Sequence, residues 1–273
     1  MSLRTETVKL AHLALEHSYD DASHKDVQLL FVHSSGHGSW MWKNFLSYFG
    51  QRHYDSWALN LRGHYLSDSV DDWAQVGVKE YLEDIDQAVK KIGNNLVLIG
   101  HSMSGLLILK YAEFKTLKGL IVSQSGPPRS VLQKRGIEIK RAMHKGSQQL
   151  LTDKSLLPMR DRDMVKAVLF DKGNVDEEAV TFVLEHLGEE SLRAGTEIIQ
   201  MEVEPTNITA PIYVLGFDAS KIGMQVPIDV NKVLAEEFKA RDYKVIEPGG
   251  HDYMIEKNWR DFASQFEIWI TAT

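Results

Sequence analysis

Hydrophobic positions along the 273-residue chain fall into two spacings. Six short runs are apolar or β-branched almost throughout: residues 27–33, 57–61, 96–100, 117–123, 212–216 and 243–246. Unbroken runs of that length suit strands covered on both faces. Between them the spacing changes. Val78, Tyr81, Leu82, Ile85, Val89 and Ile92 recur at helical intervals, as do Val230, Val233, Leu234 and Phe238, and Trp259, Phe262, Ala263, Phe266 and Ile270. Such an apolar stripe is what a helix packed on a sheet needs. Strand and helix alternate, which predicts an α/β fold with a mostly parallel sheet and helices on both faces.

The alternation stops between Ser125 and Pro205. "SGPPRS" punctuates the chain there, and the residues that follow read as helices, two of them separated by Gly188. We expect residues 1–125 and 206–273 to form one α/β core and residues 126–205 to form a helical insertion over the C-terminal edge of the sheet. Open α/β sheets bind their ligands at that edge.

Composition narrows the function. Hydrophobic residues make up 43% and charged residues 25%, ordinary for a water-soluble domain. No apolar run approaches the roughly 18 residues of a membrane span, and the N-terminus lacks the apolar stretch of an export signal. There is no cysteine, hence no thiol nucleophile, disulfide or cysteine-based metal site. A net charge of −7 argues against a nucleic-acid partner. These features predict a cytoplasmic protein with a small-molecule ligand and no metal; oligomeric state is not encoded in any recognisable pattern.

Chemistry concentrates at "LVLIGHSMSGLLILK". A strand that ends in Gly-x-Ser-x-small and turns at once into a helix is the sequence form of a nucleophile elbow. Ser102 is the candidate nucleophile, and the backbone N–H of Met103 would help hold an oxyanion. A serine hydroxyl needs a base. Of eleven histidines, His251 in "VIEPGGHDYMIE" stands after the last strand and before the C-terminal helix, where Gly249 and Gly250 would let the chain swing the imidazole over the sheet. A carboxylate should orient that ring. Asp218, directly after the strand at 212–216, is the candidate; the other strand end, Ser123 to Ser125, contains no acid. The loop "HSSGHGSW" after the first parallel strand offers a second oxyanion N–H, from Ser35. His33 and His37 are four apart, but the glycines between them argue against a helical metal pair.

The stretches "FVHSSGHGSWMW", "NLRGHYLS", "LIGHSMSG" and "GGHDYMIE", in this order, resemble the α/β-hydrolase superfamily over nearly the whole chain. The resemblance is nearest the branch of small-ester esterases and plant-type hydroxynitrile lyases, whose first loop reads His-x-x-x-His-Gly-x-Trp-x-Trp; His33, His37, Gly38, Trp40 and Trp42 match it. It implies Ser102 as nucleophile, His251 as base, a nearby acid, oxyanion N–H groups from Ser35 and Met103, a helical cap and no cofactor. Ser34, His37 and Tyr65 become candidates for the substrate pocket. The chain departs from the pattern at Ser104 (usually glycine), at Tyr65 (glycine in Arg-Gly-His-Gly), at Ser34, at Asp252 (lysine in the lyases) and at Ser220, which takes the register of the usual acid. The expectation is a serine hydrolase acting on a small ester or related acyl compound. A hydroxynitrile-lyase-like C–C lyase and a non-catalytic binding protein on the same fold are the alternatives.

Overall fold

The computed structural model describes residues 3–21, 24–137, 140–141, 151–218, 224–225 and 229–273. Ser220 lies outside the described residues. Eight strands share one sheet: β1 (Leu3–Leu10), β2 (Leu13–Asp20), β3 (Gln28–Val32), β4 (Ser56–Asn60), β5 (Leu96–His101), β6 (Gly119–Ser123), β7 (Ile212–Gly216) and β8 (Asp242–Val245). Their order across the sheet is β1-β2-β4-β3-β5-β6-β7-β8. β1 pairs antiparallel with β2, and β2 antiparallel with β4; all other neighbours are parallel. The six apolar runs are the parallel strands, each within two residues of its expected bounds.

The antiparallel hairpin β1–β2 is not foreshadowed by any apolar run. β1 is an edge strand with mostly exposed side chains, and β2 buries polar ones, His17, Ser18 and Asp20 among them. His17 stacks on Trp57 with ring centroids 3.5 Å apart. Burial here follows tertiary pairing, and hydropathy alone does not register it.

Successive side chains of a strand point to opposite faces. Leu29 and Phe31 of β3 join one core, with α1 (Lys43–Gly50) and α9 (Trp259–Thr271); Leu30 and Val32 join the other, with α2 (Val78–Ile92), α3 (Met103–Ala112) and α8 (Val230–Glu237). Complete burial of Trp42, Phe45, Phe262 and Phe266 beneath α1 and α9 is worth roughly 2–3 kcal/mol for each phenylalanine-sized ring.

Between β6 and β7 the chain forms α4 (Arg129–Arg135), α5 (Arg162–Leu169), α6 (Glu177–His186) and α7 (Leu192–Ile199). Helices on either side of Gly188 appear as expected. The insertion is not wholly helical, however: Ser155–Leu156 pairs with Glu190–Ser191, and Lys140–Arg141 with Met224–Gln225. Two-residue ladders carry too little pattern to be read from sequence. The insertion rests on loops beyond the C-terminal ends of the parallel strands. Gly188 N–H donates to Gly36 C=O at 2.8 Å, Val78 N–H to Glu197 at 2.7 Å, and Asp252 N–H to Leu169 C=O at 2.7 Å.

Candidate active site

Ser102 stands between β5 and α3 with φ 54° and ψ −115°, a region that costs of order 1–3 kcal/mol for a residue with a side chain. Its surroundings hold it there. Ser102 N–H donates to Ser123 C=O at 2.8 Å, and Ser102 C=O accepts from Gly105 at 3.0 Å. A Cβ on Gly100 would lie 2.3 Å from the Ser104 carbonyl oxygen, and one on Gly105 would lie 2.3 Å from Ser125 Cβ. Gly100 is therefore demanded by the backbone of the elbow itself, and Gly105 by the Ser125 side chain packed on it. Ser104, where glycine is usual, is fully buried and donates its hydroxyl to the His33 carbonyl at 2.5 Å. The substitution ties the first turn of α3 to the end of β3.

Met103 is the first residue of α3, so its N–H has no intrahelical partner by construction. The second donor loop is a tight turn, Ser34 to His37, closed by His37 N–H on Ser34 C=O at 3.2 Å with Gly36 at φ 67°. Ser35 occupies its second position. Two buried side chains fix this turn from opposite sides. His37 Nδ1–H donates to Ser35 C=O at 2.7 Å while Nε2 meets Asp252 Oδ2 at 3.0 Å. An ionised carboxylate can only accept, so beside one, Nε2 carries a proton as well. Burial opposes the charge, but Asp252 outweighs it and raises the imidazole above its ordinary range. From the inserted segment, Glu190 accepts Gly36 N–H at 3.2 Å, Ser191 N–H at 2.8 Å and the Tyr81 hydroxyl at 2.5 Å. His64 Nε2 stands 3.3 Å away, close but not aligned as a hydrogen bond. Burial works against the Glu190 carboxylate, yet His64 and these donors hold it below the usual range.

His37, a candidate for the substrate pocket, has both ring nitrogens bonded, to Ser35 and to Asp252. Ser34 is buried, and its carbonyl also accepts from His33 Nδ1 at 2.7 Å. Leu61 N–H donates to His33 Nε2 at 3.1 Å, which makes that ring neutral; burial, with His64 nearby, pushes it well below the usual histidine range. Tyr65 is 44% exposed, has φ 46°, and packs its Cβ over Gly38 and its ring against His186, centroids 5.6 Å apart. Its left-handed backbone accounts for the glycine more common at this position.

His251 follows β8 on the loop 246–258 and is 8% exposed. Its ring meets that of His101, the residue before Ser102, at 4.6 Å, and that of Phe217, just past β7, at 5.4 Å. Burial, then His251 and His37, push His101 well below the usual range and keep it neutral. Gly249 and Gly250 are not in left-handed conformations, contrary to the expectation that they free the backbone to swing. They are small because neighbours crowd them: a Cβ on Gly250 would lie 2.5 Å from Asp171 N and 2.6 Å from Glu256.

The group at His251 Nδ1 is Gln124 Oε1, 3.1 Å away. Asp218, the sequence candidate for this role, lies two residues past β7 and is exposed. Gln124 directly follows β6. That strand end offers no carboxylate, and an amide there carries no sequence signal of its own. Asp252, noted in the sequence only as a replacement for lysine, is buried against His37 and puts no cation beside the base. Among the described residues no group of three or more histidine, aspartate and glutamate side chains is arranged to hold a metal, and no helix is long and apolar enough to cross a membrane.

Comparison with known proteins agrees with this architecture. A protein of Burkholderia cenocepacia assigned as an aryl esterase superposes with a TM-score of 0.73 at 17% identity, covering 98% of each chain. Tomato methylketone synthase I in complex with 2-tridecanone gives 0.69 at 16% identity, over 91% of this chain and 100% of that one. The enol-lactonase of Burkholderia xenovorans LB400 gives 0.67 at 14%, over 97% and 100%. At such identities the likeness is one of fold. No curated protein sequence matches the chain. The sequence profile of the alpha/beta hydrolase family matches residues 29–265. With the elbow at Ser102, the mostly parallel eight-stranded sheet and that match, the chain belongs to the alpha/beta hydrolase family.

Proposed function

We propose that the protein is a serine hydrolase that cleaves a small carboxylic ester or related acyl compound through an acyl-enzyme. The observation that carries the reading is the strained Ser102 at the β5–α3 turn, with the His251 ring packed on the residue before it. Ser102 Oγ attacks the substrate carbonyl while His251 takes its proton. The N–H groups of Met103 and Ser35 receive the developing oxyanion. His251 then protonates the departing alcohol, and water, activated by the same ring, releases the acid. In this reading residues 126–205 serve as the cap over the substrate, and Tyr65, packed on His186, is a candidate contact. The mechanism uses no cofactor.

Incubation with a fluorophosphonate probe tests this directly. The intact protein should label at Ser102 and hydrolyse short nitrophenyl esters, and Ser102→Ala should do neither. An intact protein that stays unlabelled, or a Ser102→Ala variant that labels equally, overturns the reading.

A further inference from the structure

Gln124 is buried, 3% exposed, and held at φ 48°. Its N–H donates to Leu215 C=O at 2.6 Å, which pins the turn after β6 to β7. Its side-chain nitrogen donates to Gly250 C=O at 3.0 Å, and its oxygen faces His251 Nδ1 at 3.1 Å. The orientation of the amide follows from chemistry. A backbone carbonyl can only accept, so the NH2 group must face Gly250. The oxygen that remains can only accept, so Nδ1 of His251 must carry the proton. The lone pair of the neutral ring then sits on Nε2.

We infer that Gln124 is the positioning residue for His251, fixing its tautomer and ring orientation through an uncharged amide where a carboxylate commonly serves. The inference rests on His251 being the base proposed above. An amide performs the geometric part of the task. Being uncharged, Gln124 itself adds no ion pair to the imidazolium formed during attack. Also packed around the ring are neutral His101 from β5, Phe217 with Asp218 next to it from the end of β7, and on its own loop Asp252, whose charge is engaged by His37.

Two variants test it. Gln124→Glu is isosteric and places a negative charge beside Nδ1. Its second oxygen would meet Gly250 C=O, so we expect a gain of about one pH unit in the His251 titration, at the low end of the one to three units an opposite charge gives. The acid limb of the fluorophosphonate labelling rate should move upward with it. Gln124→Asn tolerates the left-handed backbone but is one methylene too short to reach Nδ1. Labelling should slow at least tenfold, with the affinity for a reversible ester-like inhibitor within about twofold. The imidazole titration is followed by NMR, which needs no turnover. An unchanged His251 titration in Gln124→Glu, or wild-type labelling by Gln124→Asn, overturns the inference. A wild-type protein that does not label refutes the serine-hydrolase reading instead, and the NMR titration still decides the role of Gln124.

Discussion

Asp252 Oδ2 lies 3.0 Å from Nε2 of His37, and the other nitrogen of that ring holds the Ser35 carbonyl at 2.7 Å. A buried ion pair thus links the residue after the candidate base to the peptide beside the candidate oxyanion donor. Asp252 Oδ1 is buried with no hydrogen-bond partner among the described residues, so His37 is the main compensation for its charge.

Removing one partner of such a pair strands the other. Asp252→Ala should lower the unfolding free energy by about 3–5 kcal/mol and reduce ester turnover by loosening the Ser34–His37 turn. Urea unfolding and steady-state rates check both. The pH dependence has a definite sign. His37 is raised in the folded state, so its contribution is complete below the unfolded value of about 6.5 and is lost as pH rises through the folded one. The difference in stability between wild type and Asp252→Asn should therefore shrink as pH rises above about 6.5.

Glu190 anchors the inserted segment to the same turn. Glutamine cannot accept from Gly36, Ser191 and Tyr81 together, and each buried donor left unpaired costs about 1–3 kcal/mol. Glu190→Gln should destabilise the protein by about 2 kcal/mol or more at pH 7. The Glu190 carboxylate is depressed in the folded state, so its contribution is present above the unfolded value of about 4.3 and is lost as pH falls below it. Urea midpoints of the two proteins should stay apart from pH 7 down to about pH 4.3 and converge as pH falls further.

Gly100→Ala would drive a methyl group to 2.3 Å from the Ser104 carbonyl, which is backbone and cannot yield without opening the elbow. A destabilisation of about 3 kcal/mol or more is expected, in line with severe overpacking. Thermal unfolding together with fluorophosphonate labelling measures it.

Ser104→Ala deletes the hydroxyl that satisfies the buried His33 carbonyl. A loss of about 1–3 kcal/mol in chemical denaturation is expected. Ser104→Gly should cost more, because it adds backbone freedom inside α3.

Hydropathy spacing determined the parallel part of the fold. A strand covered on both faces must be apolar through its middle, and β3 to β7 are; helices packed on a sheet must repeat their apolar residues every three or four positions, and α2, α8 and α9 do. Ser102 was legible too, because a strained strand-to-helix turn demands small neighbours adjacent in the chain, and Gly100, Ser104 and Gly105 write that demand locally. The edge hairpin β1–β2 was hidden, since its burial depends on what lies beside it. So were the groups that hold the site. Gln124 meets His251 across 127 residues, Glu190 meets Gly36 across 154, and Asp252 meets His37 across 215. A hydrogen bond between side chains so far apart leaves no periodic or adjacent trace in the chain. An amide accepts a hydrogen bond as a carboxylate does, so a search for charge does not single out Gln124. The sequence specified where a serine would stand in a strained turn at the end of β5; only tertiary packing decided which atoms hold the His251 imidazole against the residue before it.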